Sequence, residues 1–152
     1  MSKKPIKRFE ELQGVSREHH HALLLSWKIN QGIKKDVNPK RIQKYVHWFR
    51  EEHLKPHFDI EEKWIFPVLG ENHDMIQRAL QEHKRLMDLS LNASDHHDLQ
   101  IFSDELKEHV RFEERELFQE VQKLATEEEL KLIQEHHKEE EFCERSEDEF
   151  WK

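Results

Sequence analysis

Apolar residues recur at every third or fourth position through four long segments, the spacing of amphipathic helices with one buried face. Ser16 is a good N-cap for a first helix over 17–33, which closes near Gly32 ahead of Lys34, Lys35 and Asp36. Leu12, Val15, His19, Ala22, Leu23 and Ile29 share one side of its wheel, with His19 near the centre. His20 stands beside Leu23, Leu24 and Trp27, and His21 points to the charged side near Arg17 and Lys28. Asn38 and Pro39 open a second helix over 39–66, which stops at Pro67. Its stripe is Ile42, Val46, Phe49, His53, His57, Ile60 with Glu61, Trp64 and Val68. Pro56 falls inside it and is expected to bend it beside His57.

Gly70, Glu71 and Asn72 form a turn before a third helix over 73–91, striped by Ile76, Leu80, His83 and Met87. Ser94 caps a fourth over 95–124, striped by Leu99, Phe102, Leu106, His109, Val110, Glu113, Leu117 and Leu124. Thr126 and Glu129 make a capping box. It opens a fifth, more polar helix to about Cys143, and in the acidic tail beyond it Phe150 and Trp151 are candidates for docking. Four long helices with short connections predict an all-α fold, an antiparallel up-down four-helix bundle with an additional C-terminal helix. The expected partition is an arm over 1–14, the bundle over 15–125, and the last helix and tail over 126–152.

Composition narrows the partners. The 152 residues include 3 glycines and 4 prolines, and 38% are charged, which suits one helical domain. A net charge of -8 argues against nucleic acid as the main partner. No apolar run approaches the length needed to span a bilayer, and no apolar segment backs the basic N-terminus, so neither a membrane span nor a signal peptide is expected. The single cysteine, Cys143, rules out an internal disulfide and fits the reducing cytoplasm.

The unusual number is 13 histidines, some of which interrupt apolar stripes. His57 with Glu61, and His109 with Glu113, repeat H-x-x-x-E-E followed by an apolar pair ending in Phe66 and Phe118. Histidine and glutamate four apart stand on one helix face and can hold a cation together. His19 and His83, each preceded by glutamate, complete a quasi-two-fold set of polar residues at core positions. Unpaired, two buried carboxylates would each cost several kcal/mol; a pair of cations removes that penalty and uses the imidazoles. Imidazole with carboxylate suits iron, manganese or zinc better than calcium. The competing reading pairs these groups with Arg and Lys in an adaptor bundle. His47, His73, His96, His97, His136 and His137 belong to the surface or to helix ends, and His53 to the core or to a ligand's support. Glu62 and Glu114 point about 100° from the candidate ligands and are expected to be solvated or supporting.

The runs EHHHALL, HFDIEEKWIFPVL, EHKRL and HVRFEERELF resemble the hemerythrin-like, or HHE cation-binding, domain family over about 15–122. The resemblance implies a four-helix bundle with a non-haem, oxo- or hydroxo-bridged centre of two iron ions. It implies His57, His83 and His109 as terminal ligands and Glu61 and Glu113 as bridges. The helix-one ligand would be His19, with His20 its competitor. Two departures separate the chain from oxygen-carrying hemerythrins: Met87 stands one turn after His83, where those have a second histidine, and the last motif is HxxxE rather than HxxxxD. The function implied is binding or sensing of dioxygen, peroxide or nitric oxide, or handling of iron, rather than stable oxygen carriage. The alternatives are an oxidase- or peroxidase-like enzyme and a metal-dependent adaptor supported by the fifth helix and tail. Trp27, Phe49, Trp64, Leu80 and Leu106 are expected around the metals.

Overall fold

The computed structural model describes residues 8–137 and 147–152. Among these the chain is all-α: an antiparallel bundle of four long helices, with a fifth helix laid against it. The first helix, α1, spans Glu10–Lys34. The second is composite: α2 (Pro39–Phe49), a π turn (Arg50–Leu54), α3 (Lys55–Ile60), a second π turn (Glu61–Ile65) and a closing 3-10 turn (Phe66–Val68). The third is α4 (Asp74–Asn92). The fourth runs through α5 (His96–Phe112), a π turn (Glu113–Leu117) and α6 (Phe118–Leu124), and α7 spans Glu127–His136.

Helix ends follow local chemistry. Asn38 Oδ1 accepts from the Lys40 amide at 3.0 Å, and both bonds of the Thr126–Glu129 capping box form. Two starts differ from expectation. Asp95, not Ser94, caps α5, accepting from Asp98 N at 2.8 Å. The first helix begins at Glu10 rather than Arg17, so Ser16 lies inside it; there its hydroxyl donates to the Glu114 carboxylate. The fifth helix stops at His136, with His137 already extended, rather than running on to about Cys143; Cys143 itself lies outside the described residues.

Three π turns explain where a regular 3.6-residue wheel misplaces side chains. In an α-helix the residue five on stands about 140° round from its starting point. A π turn, closing i to i+5, brings it back to the same side. Phe49 and Leu54, Glu61 and Phe66, and Glu113 and Phe118 are five apart, and all six are buried. The distortion expected at Pro56 takes the form of the π turn just before it. In α4 the buried face is Ile76, Ala79, His83, Leu86 and Ser90, which leaves Leu80 39% exposed. Leu124, at the end of α6, is likewise exposed.

The apolar core comes in two pieces. One holds Leu25, Ile29, Ile42, Phe49, Phe102 and Leu106 toward one end. The other holds Leu12, Val15, Ile65, Phe66, Phe118 and Ile133 toward the opposite end. The chain's last residues join the first piece. Phe150 packs against Gly32, and the Lys28 ammonium lies 4.1 Å from the Trp151 ring centre while donating to Tyr45 Oη at 3.0 Å. Lys28 is therefore buried, although the wheel places it on the charged side. Between the two apolar pieces, α1 passes through His19.

Candidate metal centre

Six ionisable side chains fill that gap: His19 from α1, His57 from α3, Glu61 from the second π turn, His83 from α4, His109 from α5 and Glu113 from the last π turn. All are at least 94% buried, and the two carboxylates are fully enclosed. His20, the competitor for the helix-one position, is exposed on the far side of α1 and does not reach the group.

The imidazoles are oriented alike. His57 Nδ1 donates to Glu18 Oε1 at 2.8 Å, His83 Nδ1 to Glu62 Oε2 at 2.8 Å, and His109 Nδ1 to Glu82 Oε1 at 2.7 Å. His19 Nδ1 lies 3.3 Å from Glu114 Oε2. A carboxylate accepts only, so each Nδ1 beside one carries the proton and each Nε2 turns inward. The inward distances are short: His19 Nε2 to Glu113 Oε1 2.9 Å, His83 Nε2 to Glu61 Oε1 3.2 Å, His109 Nε2 to Glu113 Oε1 3.3 Å and His57 Nε2 to Glu61 Oε1 3.4 Å.

This arrangement has approximate two-fold order, legible in pairs of neighbouring residues. Glu18-His19 corresponds to Glu82-His83, and Glu61-Glu62 to Glu113-Glu114. Each first glutamate holds the histidine of an HxxxE motif, and each last glutamate faces the single histidine of another helix. The aromatic ends of the motifs obey the same relation. Phe66 stacks on His83 and Phe118 on His19, each with ring centres 5.3 Å apart. The order breaks after the motif histidines: Phe58 lies flat on His83 at 3.7 Å, whereas its counterpart after His109 is Val110.

The surroundings shift the ionisations. Burial alone lowers the His57 imidazole; the charge of Glu61, 3.4 Å away, and the hydrogen bond to Glu18 outweigh it and push it up to about 9. The same contest raises His19, His83 and His109. Burial pushes the Glu18 carboxyl up, but His137, in contact at 3.1 Å, and the hydrogen bond from His57 hold it at about 2. Glu113 is driven well below the ordinary carboxylate range: the close charge of His109, the hydrogen bond with His19 and the nearby His83 overcome its burial.

Pairing within the protein is incomplete. His57 Nε2, His83 Nε2, His109 Nε2, both oxygens of Glu61 and Glu113 Oε2 are buried without a well-formed hydrogen bond. An unsatisfied buried polar atom costs about 1–3 kcal/mol. Six in contact with one another make a site for something positive. The inward-facing donor atoms fall into two sets, His19, His57, Glu61 and Glu113 in one, and Glu61, His83, His109 and Glu113 in the other, each within 4.8 Å and able to hold a metal ion. The two carboxylates are common to both.

The profile of the hemerythrin HHE cation-binding domain matches residues 7–121. The chain belongs to this family. The match ends before α7, so that helix and the tail stand outside it. No curated protein and no solved structure is significantly similar to the chain. As a hemerythrin-family domain the chain binds metal cations, and the buried histidine and glutamate clusters could hold them.

Several placements differ from the sequence reading or narrow it. Of the two places expected for Glu62 and Glu114, solvent or support, the structure shows the supporting one: both face imidazoles, although Glu62 is also 41% exposed. His137 is not a surface residue: its side chain is 6% exposed and its Nε2 lies 3.1 Å from Glu18 Oε1. Trp27 and Leu80, expected around the metals, are exposed; Phe58, Phe66 and Phe118 take that place.

Proposed function

We propose that the polar cluster holds two iron ions, one in each four-residue set. His19 and His57 would serve one, His83 and His109 the other, with Glu61 and Glu113 shared between them. The observation that carries this reading is the group of six orphaned imidazole and carboxylate atoms sealed between two apolar clusters. Charge supports it. With neutral imidazoles, Glu18, Glu61, Glu62, Glu82, Glu113 and Glu114 surround the site with negative charge, which two cations offset. Imidazole with carboxylate favours iron, manganese or zinc, and the hemerythrin kinship favours iron among them. The paired irons supply redox and ligand-binding chemistry. The chain's own part is to fix four Nε2 atoms, shared carboxylates and a dry aromatic wall.

The role proposed is binding or sensing of a small oxidant (dioxygen, peroxide or nitric oxide), or handling of iron, within the cytoplasm. A cavity of about 30 Å³ beside His57, bounded by Ala22, Phe49, His53 and Leu54, has room for one such molecule. Among the described residues no helix is long and apolar enough to cross a membrane. In this reading residues 15–125 form the metal-binding unit, and 126–152 are an addition to it.

Elemental analysis of freshly purified protein tests the metal, with absorbance spectra through anaerobic reduction and air reoxidation. About two irons per chain, with near-ultraviolet bands that bleach on reduction, is the expected result. A long-lived spectrum in air favours binding or sensing, and immediate oxidation favours turnover. Absence of iron, with no response to added ferrous iron, returns the chain to the adaptor reading.

A further inference from the structure

We propose that α7 is coupled to the metal centre, with His137 as the positioning residue that sets the His57 side through Glu18. The inference rests on the metal role proposed above for His57.

Two contacts carry it. His137 and His57 meet the same oxygen, Glu18 Oε1, at 3.1 and 2.8 Å. The Glu18 carboxylate that orients His57 is thus itself held from the fifth helix. One residue earlier, His136 stacks flat on Trp64, with ring centres 3.7 Å apart and an interplanar angle of 4°. Trp64 belongs to the π turn that begins with Glu61. The end of α7 therefore grips both the carboxylate behind one candidate ligand and the turn that carries another.

The two-fold order shows that this grip is an addition. The counterpart of Glu18 is Glu82, which is braced by Arg78 one turn earlier on its own helix, at 2.9 Å. That half of the site needs no outside element. Ile133 anchors α7 in the second apolar cluster and Leu130 is buried too, and that packing alone would explain a docked helix. It does not explain why two consecutive histidines at the helix end meet the supports of the metal site. Their contacts make ligand position and helix docking parts of one equilibrium, and such coupling is reciprocal. Whatever His137 adds to cation affinity, the cation returns to α7 docking.

Hydrogen exchange of the Glu127–His136 amides reads this in the full chain, compared between chelator-stripped protein and protein loaded anaerobically with ferrous iron. An edge helix exchanges through local opening, which general stabilisation of the bundle does not slow. Iron is expected to slow α7 exchange by about tenfold, the low end of the effect of groups that hold metal-ligating histidines. His137→Leu should abolish the slowing and release one of the two irons to a chelator about tenfold faster, by the same reciprocity. His137→Gln, which keeps an N–H for Glu18, should restore part of both. Exchange of α7 that ignores iron in the unsubstituted chain overturns the inference, and so does slowing that persists in His137→Leu. If both variants fail to fold, the unsubstituted comparison decides. A chain that takes up no iron overturns the metal reading as well; one that takes up two with α7 indifferent overturns this inference alone.

Discussion

Four imidazoles each face an outer carboxylate, and these four supports are not equal. Glu114 is braced by the Ser16 hydroxyl, and its backbone carbonyl accepts from Arg8 at 2.7 Å. Glu62, its counterpart, has a side chain 41% exposed. Water can more readily replace Glu62 as acceptor for His83 Nδ1 than it can replace Glu114, which is 28% exposed and held by Ser16 and Arg8, beside His19. Glu114→Gln should therefore weaken metal binding by tenfold or more, about the range for losing such a partner, and Glu62→Gln by only a fewfold. Competition against a chromophoric chelator measures both, and equal losses would contradict the asymmetry. In the proposed centre the inner carboxylates serve both cations, so one substitution should reach both. Glu61→Ala should lower bound metal from two to at most one per chain while the far-ultraviolet helical signal persists. His20→Ala and His21→Ala should leave metal content unchanged. A Glu61→Ala chain that kept two tightly held metals would remove Glu61 from its shared role.

At the level of elements, the sequence made the helices, the capping box and the repeated HxxxE motifs legible, because each depends on residues three or four apart. The single-histidine helices were readable for the same reason: His19 and His83 stand where apolar residues belong. The π turns were not readable, since a wheel of fixed period cannot contain them. Their consequence, Phe66 and Phe118 on the inner face, was missed with them, and without them the wheel left Glu62 and Glu114 undecided between solvent and support. Tertiary docking was also beyond a local pattern. Nothing near Lys28 in sequence announces that Trp151 covers it. That docking makes a prediction at Gly32. A Cβ there would meet the Phe150 ring at 2.8 Å and Ile42 at 3.0 Å. Alanine would gain about 1 kcal/mol of helix propensity but overpack the site at a cost of about 1–3 kcal/mol. Gly32→Ala should thus lower the melting temperature and shift Trp151 fluorescence toward solvent, with metal content unchanged. A variant more stable than the parent would show that the tail gives way freely.

The whole molecule places an ionic cluster where a single apolar core would otherwise run, so its stability depends on what neutralises that cluster. Consider first the chelated protein. The histidines are raised above their ordinary value of about 6.5, with His57 near 9. A raised group stabilises the fold fully below its unfolded value and loses that contribution as pH climbs through the folded one. The carboxylates are depressed, Glu18 to about 2. Their contribution is present above the ordinary carboxylate value of about 4.3 and is lost as pH falls through the folded one. The chelated chain should therefore be most stable between about pH 4.3 and 6.5 and weaken toward pH 9. Cations reverse the upper limb. They require unprotonated Nε2 atoms, so binding releases protons and tightens as pH rises, and a ligand bound only to the folded chain at free concentration L stabilises it by RT ln(1 + L/Kd), an amount that grows as Kd falls. Between pH 6.5 and 9 the melting temperature of the chelated protein should fall while the gap to the ferrous-iron-loaded protein, measured anaerobically, widens. Parallel curves across that window would mean that the imidazoles do not exchange protons for metal, and would take His57 out of the centre.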